Sequence, residues 1–165
     1  MKNIKFLILL LFCFETELSL CQSVTSTGKW NFKVATSDII DAGLDYNEIY
    51  ESSAQKVRIE ISNGIWKEYV GYDWTVNIKK VDDNWDSSLK IYARRTDDGK
   101  PANNSYETYV IGGESYIEIT DFSTYFFSGL RGSTKIKIQF KVEGVSVLIP
   151  VDTYTTNIVY TVTSP

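Results

Sequence analysis

The side chains that most often perform acid–base or metal chemistry are nearly absent from this sequence. It contains no histidine, and its two cysteines, Cys13 and Cys21, both lie near the N-terminus. Histidine is the commonest general base and metal ligand, so Ser–His–Asp and Cys–His mechanisms and the usual zinc sites are excluded. We therefore predict no catalytic residue, no metal ligand and no cofactor, and we expect a protein that is not an enzyme.

One acidic cluster has the spacing of a calcium loop at its start. Asp82, Asn84 and Asp86 occupy alternate positions, as in the first half of such a loop. The glycine wanted next is Ser87, however, and the acidic residue wanted at the end of the loop is Ala93. The pattern favours a solvated loop in which Asp and Asn stabilise turns. Other carboxylate pairs are inevitable among 21 acidic residues and indicate no hydrolase.

Aromatic residues are the other candidates for a binding site, since the chain has eleven tyrosines and four tryptophans. Exposed planar rings can stack on a sugar or form an adhesive surface. Five of them lie at or near predicted loops and are candidate contacts for a ligand or partner: Trp66, Tyr69, Trp85, Tyr106 and Tyr109. The alternative is that most rings belong to the core or to cross-strand pairs, as expected for Trp74 and Tyr160.

The N-terminal residues have the pattern of an export signal. Lys2 and Lys5 precede an unbroken apolar run over residues 6–14, which has signal-peptide length and is too short to span a bilayer. We predict that residues 1–21 are removed by cleavage after Cys21, with lipidation of Cys21 as the alternative. The protein is then expected outside the cell, on its surface or in a periplasm. No second long apolar stretch predicts a membrane span.

Residues 22–165 are predicted to form a single domain. They contain no cysteine, so no disulfide can form within that domain, although an exported protein would permit one. The net charge of the chain is −4. A mildly acidic chain argues against nucleic acid as a partner, because such binding needs clustered Lys and Arg.

Alternation of apolar and polar residues predicts β-strands along most of the domain. In KIKIQFKV, residues 135–142, four apolar residues alternate with four polar ones, which places the apolar side chains on one face of a strand. The same period recurs in residues 57–61, 72–78 and 154–162. Turn signals such as SNG, DDGKP and EGV separate these runs. The combination is typical of an all-β sandwich or barrel.

Three further assignments are less regular. VSVLI, residues 145–149, is predicted to pair with residues 135–142 in a hairpin. Residues 35–54 have poor periodicity and are predicted to be a long connection with at most a short helical turn. The polar stretch over residues 93–107 is predicted to be a loop at one end of the sandwich.

Two long segments resemble a group of short secreted bacterial proteins of uncharacterised function. They are VGYDWTVNIKKVDDNWDSSLKIYARRTDDG and FFSGLRGSTKIKIQFKVEGVSVLIPVDTYTTNIVYTV. The ending, a Tyr-Thr-Thr step followed by alternating Val and Tyr, is also similar to the last strand of spore-coat-U-like and chaperone–usher-type pilin domains. The resemblance implies an immunoglobulin-like (Ig-like) Greek-key β-sandwich of about seven to nine antiparallel strands. It also implies that the protein is a surface or fibre subunit.

The same resemblance suggests how such subunits would join. In pilin-type assembly each subunit receives a strand from its neighbour. The donor segment would lie between Gln22 and Ser37, where Trp30, Phe32 and Val34 alternate with polar residues. The alternative is that these three residues belong to the first strand of their own domain.

The sequence thus leads to two hypotheses of function. The first is a secreted or cell-surface structural or adhesive protein without enzymatic activity, including a pilus- or fibre-like subunit. It would contact itself or other surface proteins through strand edges. The second is a carbohydrate-binding module that holds a polysaccharide on exposed rings, Trp66 and Trp85 above all.

Overall fold

A computed structural model describes most of the predicted domain. The predicted export signal and the candidate contacts Trp66, Tyr69 and Tyr106 lie outside the described part. The described residues are 22–38, 45–46, 49–62, 73–102 and 107–164.

The described part of the chain is nearly all β, as predicted. Its eleven strands, in chain order, are β1 (Ser23–Thr27), β2 (Ile49–Glu51), β3 (Val57–Ser62), β4 (Asp73–Asn84), β5 (Lys90–Arg95), β6 (Lys100–Pro101), β7 (Tyr109–Ile111), β8 (Ile117–Glu118), β9 (Thr124–Leu130), β10 (Ser133–Glu143) and β11 (Thr155–Thr163). A 3-10 turn, Thr36–Asp38, lies between β1 and β2.

The strands form two antiparallel sheets around a shared core. The first sheet has the order β1-β3-β10-β5-β8, and β2 and β6 also pair with β10. The second sheet has the order β11-β4-β9-β7. This arrangement confirms a β-sandwich, while the Greek-key connectivity implied by the resemblance stays a prediction.

The core consists of the side chains that the alternation places inward. Phe127 packs edge-to-face against Trp74 and Phe126, with ring centroids 6.0 and 4.9 Å apart. Such aromatic pairs carry much of the apolar area of a small core. The predicted inward residues of three strands are buried: Val57, Ile59 and Ile61 of β3, Trp74, Val76 and Ile78 of β4, and Ile136, Ile138, Phe140 and Val142 of β10.

The predicted hairpin between residues 135–142 and 145–149 is wrong. β10 is the central strand of the first sheet, flanked by β3 and β2 along one edge and by β5 and β6 along the other. No edge of β10 is therefore left for residues 145–149, which form a turn after Gly144. Gly144 has a φ of 84°, a conformation that an L side chain rarely adopts. Val147 and Leu148 point into solvent.

The prediction that Trp30, Phe32 and Val34 lie in the first strand is also wrong. The first strand is β1, whose residues are polar except for Val24, and residues 28–35 follow it outside any strand. Ring stacking holds this segment instead: Trp30 stacks on Phe140 at 6.4 Å and on Phe32 at 5.0 Å. Phe32 in turn stacks on Tyr50 at 5.1 Å. The apolar alternation over residues 30–34 therefore does not mark a strand. Trp30 and Phe32 are instead held by ring stacking.

The predictions for residues 35–54 and for residues 93–107 have different outcomes. The long connection expected over residues 35–54 contains only the 3-10 turn and the short β2 in its described part. The loop expected over residues 93–107 starts too early, because β5 continues through Arg95. The side chain of Arg95 is buried and its Nε donates a 2.8 Å hydrogen bond to the Gly112 carbonyl. The charge of Arg95 concealed this inward position from sequence reasoning.

Candidate functional site: a groove beside the last strand

The last strand has an edge without a partner in the described part of the chain. β11 pairs with β4 along one edge, and no other described strand pairs with it. Its nine residues include no charged residue and no proline. Natural sheets protect their edges with charges, prolines or short strands. The other sheet edges do so by length, since β1 has five residues, β7 three and β8 two.

A groove of about 460 Å³ runs beside β11. One wall is formed by residues 28–32, including Trp30, and the other by residues 153–158 with Tyr160. The floor consists of core residues from the first sheet, Val57, Ile91, Phe140 and Val142. β1 of the first sheet contacts β11 without pairing with it. The unpaired edge of β11 and the apolar floor beside it are the two features that an added strand requires.

A second cavity of about 500 Å³ continues from the groove. The two cavities share Phe32, Trp85, Thr153 and Tyr154. One side of the second cavity is the turn over residues 145–151, where the Tyr154 hydroxyl donates a 2.6 Å hydrogen bond to the Pro150 carbonyl. The groove and the second cavity therefore adjoin along these four shared residues.

Tyr160 places an unsatisfied hydroxyl in the wall of the groove. Its oxygen is buried and has no hydrogen-bond partner in the described structure. Burial raises the pKa of Tyr160 above its ordinary value. An unpaired buried hydroxyl costs roughly 1–3 kcal/mol of stability.

Tyr160→Phe is expected to raise the free energy of unfolding at pH 7 by about 1 kcal/mol, because it removes the unpaired hydroxyl. The folded state keeps Tyr160 neutral where a solvated tyrosine ionises. The contribution of Tyr160 to the free energy of unfolding is therefore complete below about pH 10. It is lost as pH rises through the raised pKa of Tyr160. Urea unfolding at pH 7 and at about pH 11 should show a smaller alkaline loss in this variant than in the wild type.

Tyr109→Phe is the matched control for that experiment, since Tyr109 is exposed and its change should leave both measurements as they are. A Tyr160→Phe variant that is less stable than wild type at pH 7 would show that the hydroxyl has a partner after all.

The structure brings together some of the residues predicted to form a site. Trp30 lines the groove, Val34 lines the second cavity, and Phe32 and Trp85 line both. The Trp85 indole donates a 2.9 Å hydrogen bond to the Leu89 carbonyl, and Lys80 Nζ lies 6.0 Å from its ring centroid. Tyr109, by contrast, lies on β7 and is 64% exposed, away from both cavities.

Sequence reasoning missed the contribution of β11 to a site. Tyr160 was expected to face inward, and both Tyr154 and Tyr160 lie half-buried. Inward residues of an edge strand line the mouth of a sandwich, but nothing in the sequence shows that β11 is at an edge. The long uncharged run over residues 155–163 is the sequence feature that could have indicated an edge able to accept another strand.

Only Asp86 of the acidic cluster has the turn role that the pattern favours, because Asp82 and Asn84 lie in β4 rather than in a loop. The Asp86 carboxylate accepts a 2.8 Å hydrogen bond from the Ser88 amide, and the Asn84 side chain donates to the Thr153 carbonyl at 2.9 Å. Within the described ranges, no group of three acidic or cysteine side chains is arranged to hold a metal ion. No described helix is long and apolar enough to cross a membrane.

Comparison with known protein families, with curated proteins and with solved structures found no match. The likeness to short secreted bacterial proteins and to pilin-type domains therefore stays a prediction from sequence.

Proposed function

We propose that this protein is an exported structural or adhesive protein without enzymatic activity, located at the cell surface. It makes its contacts by accepting an extended segment of a partner alongside β11. The observation that supports this proposal is the unpaired, uncharged edge of β11 beside a groove whose floor is the sandwich core.

The chemistry of strand addition fits this groove. An added strand would exchange main-chain hydrogen bonds with the free edge of β11, and every second side chain would point to the apolar floor. Backbone pairing gives affinity, while the depth and shape of the floor set which side chains are accepted. The partner segment is therefore expected to alternate apolar and polar residues.

The partner is proposed to be another copy of this chain or another surface protein. Within this chain, residues 22–37 remain the candidate donor, as the resemblance implies. In the folded domain, residues 28–35 are held by stacked rings and have no ladder of strand hydrogen bonds. Residues 28–35 can therefore be released at lower cost than a paired strand, whereas β1, the first part of the donor, is paired with β3.

The test is self-association of a chain that lacks residues 1–21. Light scattering on a sizing column is expected to show oligomers that grow with protein concentration. Asn157→Lys should shift the protein to monomer, because Asn157 is exposed on β11 and lines the groove, and a lysine there opposes strand addition. Thr124→Lys is the matched control, with the same new charge on the interior strand β9.

A peptide of residues 22–37 provides the second arm of this test. It is expected to compete with self-association of the wild type and to bind Asn157→Lys more weakly. A wild-type protein that stays monomeric at high concentration and does not bind the peptide would contradict the proposed function.

A further inference from the structure

The outer face of the second sheet carries exposed apolar side chains on β7 and β9, at the opposite edge of that sheet from β11. Tyr109 and Ile111 lie on either side of buried Val110, so both side chains point away from the core. They are 64% and 48% exposed, and Tyr125 on neighbouring β9 is 50% exposed. We call Tyr109, Ile111 and Tyr125 the platform.

Tyr125 is held in one position on this platform. Its hydroxyl lies 3.1 Å from Ser128 Oγ and donates a 3.4 Å hydrogen bond to the Ile111 carbonyl. The ring therefore lies across β7 towards Gly112. A Cβ on Gly112 would be 2.9 Å from the Tyr125 hydroxyl, and Gly112 has a φ of 83°. This close approach depends on glycine, and it fixes an exposed ring before any ligand arrives.

Uncharged polar side chains continue the platform across the sheet. Asn77 on β4 lies opposite Tyr125, and Thr161 on β11 lies opposite Asn77. In the next row, Thr75 lies between Ser128 and Thr163. These rows offer hydroxyl and amide groups, which both donate and accept hydrogen bonds, and none of their side chains carries a charge.

We propose that the platform binds a neutral polysaccharide. Tyrosine rings pack against the apolar faces of sugar rings, while the Asn, Thr and Ser rows exchange hydrogen bonds with sugar hydroxyls. Asp73 and Lys79, which have opposite charges, lie on the same face of β4 in the rows that flank these two. A charged ligand over the two uncharged rows would lose its solvation without gaining a partner there, which favours an uncharged polymer over an acidic one. The site is separate from the groove beside β11 and does not depend on strand addition.

The test is gel electrophoresis of the protein, produced from the full-length coding sequence, through gels that contain a soluble polymer. Hydroxyethyl cellulose, xyloglucan and galactomannan are the neutral probes, and alginate is the acidic one. We expect slower migration in at least one neutral polymer and unchanged migration in alginate. The Tyr109→Ala/Tyr125→Ala double variant should bind at least about tenfold more weakly.

Two further variants show whether binding depends on the platform rings themselves. Phe122→Ala removes an aromatic side chain that is 74% exposed but lies outside the platform, and it should migrate as the wild type does. Tyr125→Phe keeps the ring and loses its hydrogen bonds, so intermediate binding is expected. Melting curves confirm that each variant is folded.

Several results would overturn the proposal. Unchanged migration in all three neutral polymers would do so, as would equal retardation of the double variant and the wild type. A protein that is not retarded, and whose dimer dissociates in the double variant, would show instead that a second copy covers this face. Asn157→Lys should still bind polysaccharide, which keeps this result independent of the groove.

Discussion

Replacing both Asp98 and Glu114 by alanine is expected to lower the free energy of unfolding by about 3–5 kcal/mol. The two carboxylates are the ion-pair partners of Arg95, one on each terminal nitrogen of its guanidinium. The Arg95 side chain is only 3% exposed, whereas those of Asp98 and Glu114 are 67% and 65% exposed. Removing both acids therefore leaves a buried cation without compensation, which is the costly way to break such a pair.

The reverse change provides the control. Arg95→Met removes the buried charge and leaves two carboxylates that water can solvate, so we expect a loss of less than about 2 kcal/mol. Each single acid variant should fall between wild type and the double variant. Urea unfolding of all four variants measures these differences. An Arg95→Met variant less stable than the double alanine variant would mean that Arg95 acts mainly through packing and its bond to Gly112.

Gly129→Ala is expected to destabilise the protein by about 3 kcal/mol, because one methyl group has no space at this position. Gly129 pairs with Trp74 of β4 and with Val110 of β7. A Cβ there would lie 2.4 Å from the Tyr109 carbonyl oxygen and 2.5 Å from the Trp74 ring. Both neighbours are fixed, since Trp74 is fully buried and its indole donates to the Arg131 carbonyl.

Denaturant unfolding followed by tryptophan fluorescence measures this loss. Ser128→Ala, one residue earlier on β9, is the control and should cost well under 1 kcal/mol as a surface change. Because the clash also displaces Tyr109, Gly129→Ala should weaken binding at the platform as well. A Gly129→Ala protein of wild-type stability would show that β7 is not held against β9 as described.

The strands with a regular alternation could be predicted because their signal is local. In residues 57–61 and 135–142, every second side chain is apolar and buried, so period alone gives both the strand and its inward face. Strand β1 gave no such signal, since only Val24 faces the core. Its place in the sheet comes from pairing with β3, which lies some thirty residues further along the chain.

The sequence could not show which strands pair with one another. Residues 145–149 have a strand-like composition and follow β10 directly, yet β10 pairs with distant strands on both edges. Which strands fill those edges depends on contacts across the whole sandwich. The same reason hid the groove: the rings of Trp30 and Trp85 were visible as candidates, but the free edge of β11 follows only from the strand order.

Hydrogen exchange of the β11 amides tests the central claim most directly. In the monomer, the amides of Thr155–Thr163 that do not bond to β4 should exchange quickly, and every second residue is expected to belong to this set. As protein concentration or the concentration of the peptide of residues 22–37 rises, these amides should become protected in the wild type but not in Asn157→Lys. Alternate β11 amides that stay unprotected while oligomers form would contradict strand addition at this edge.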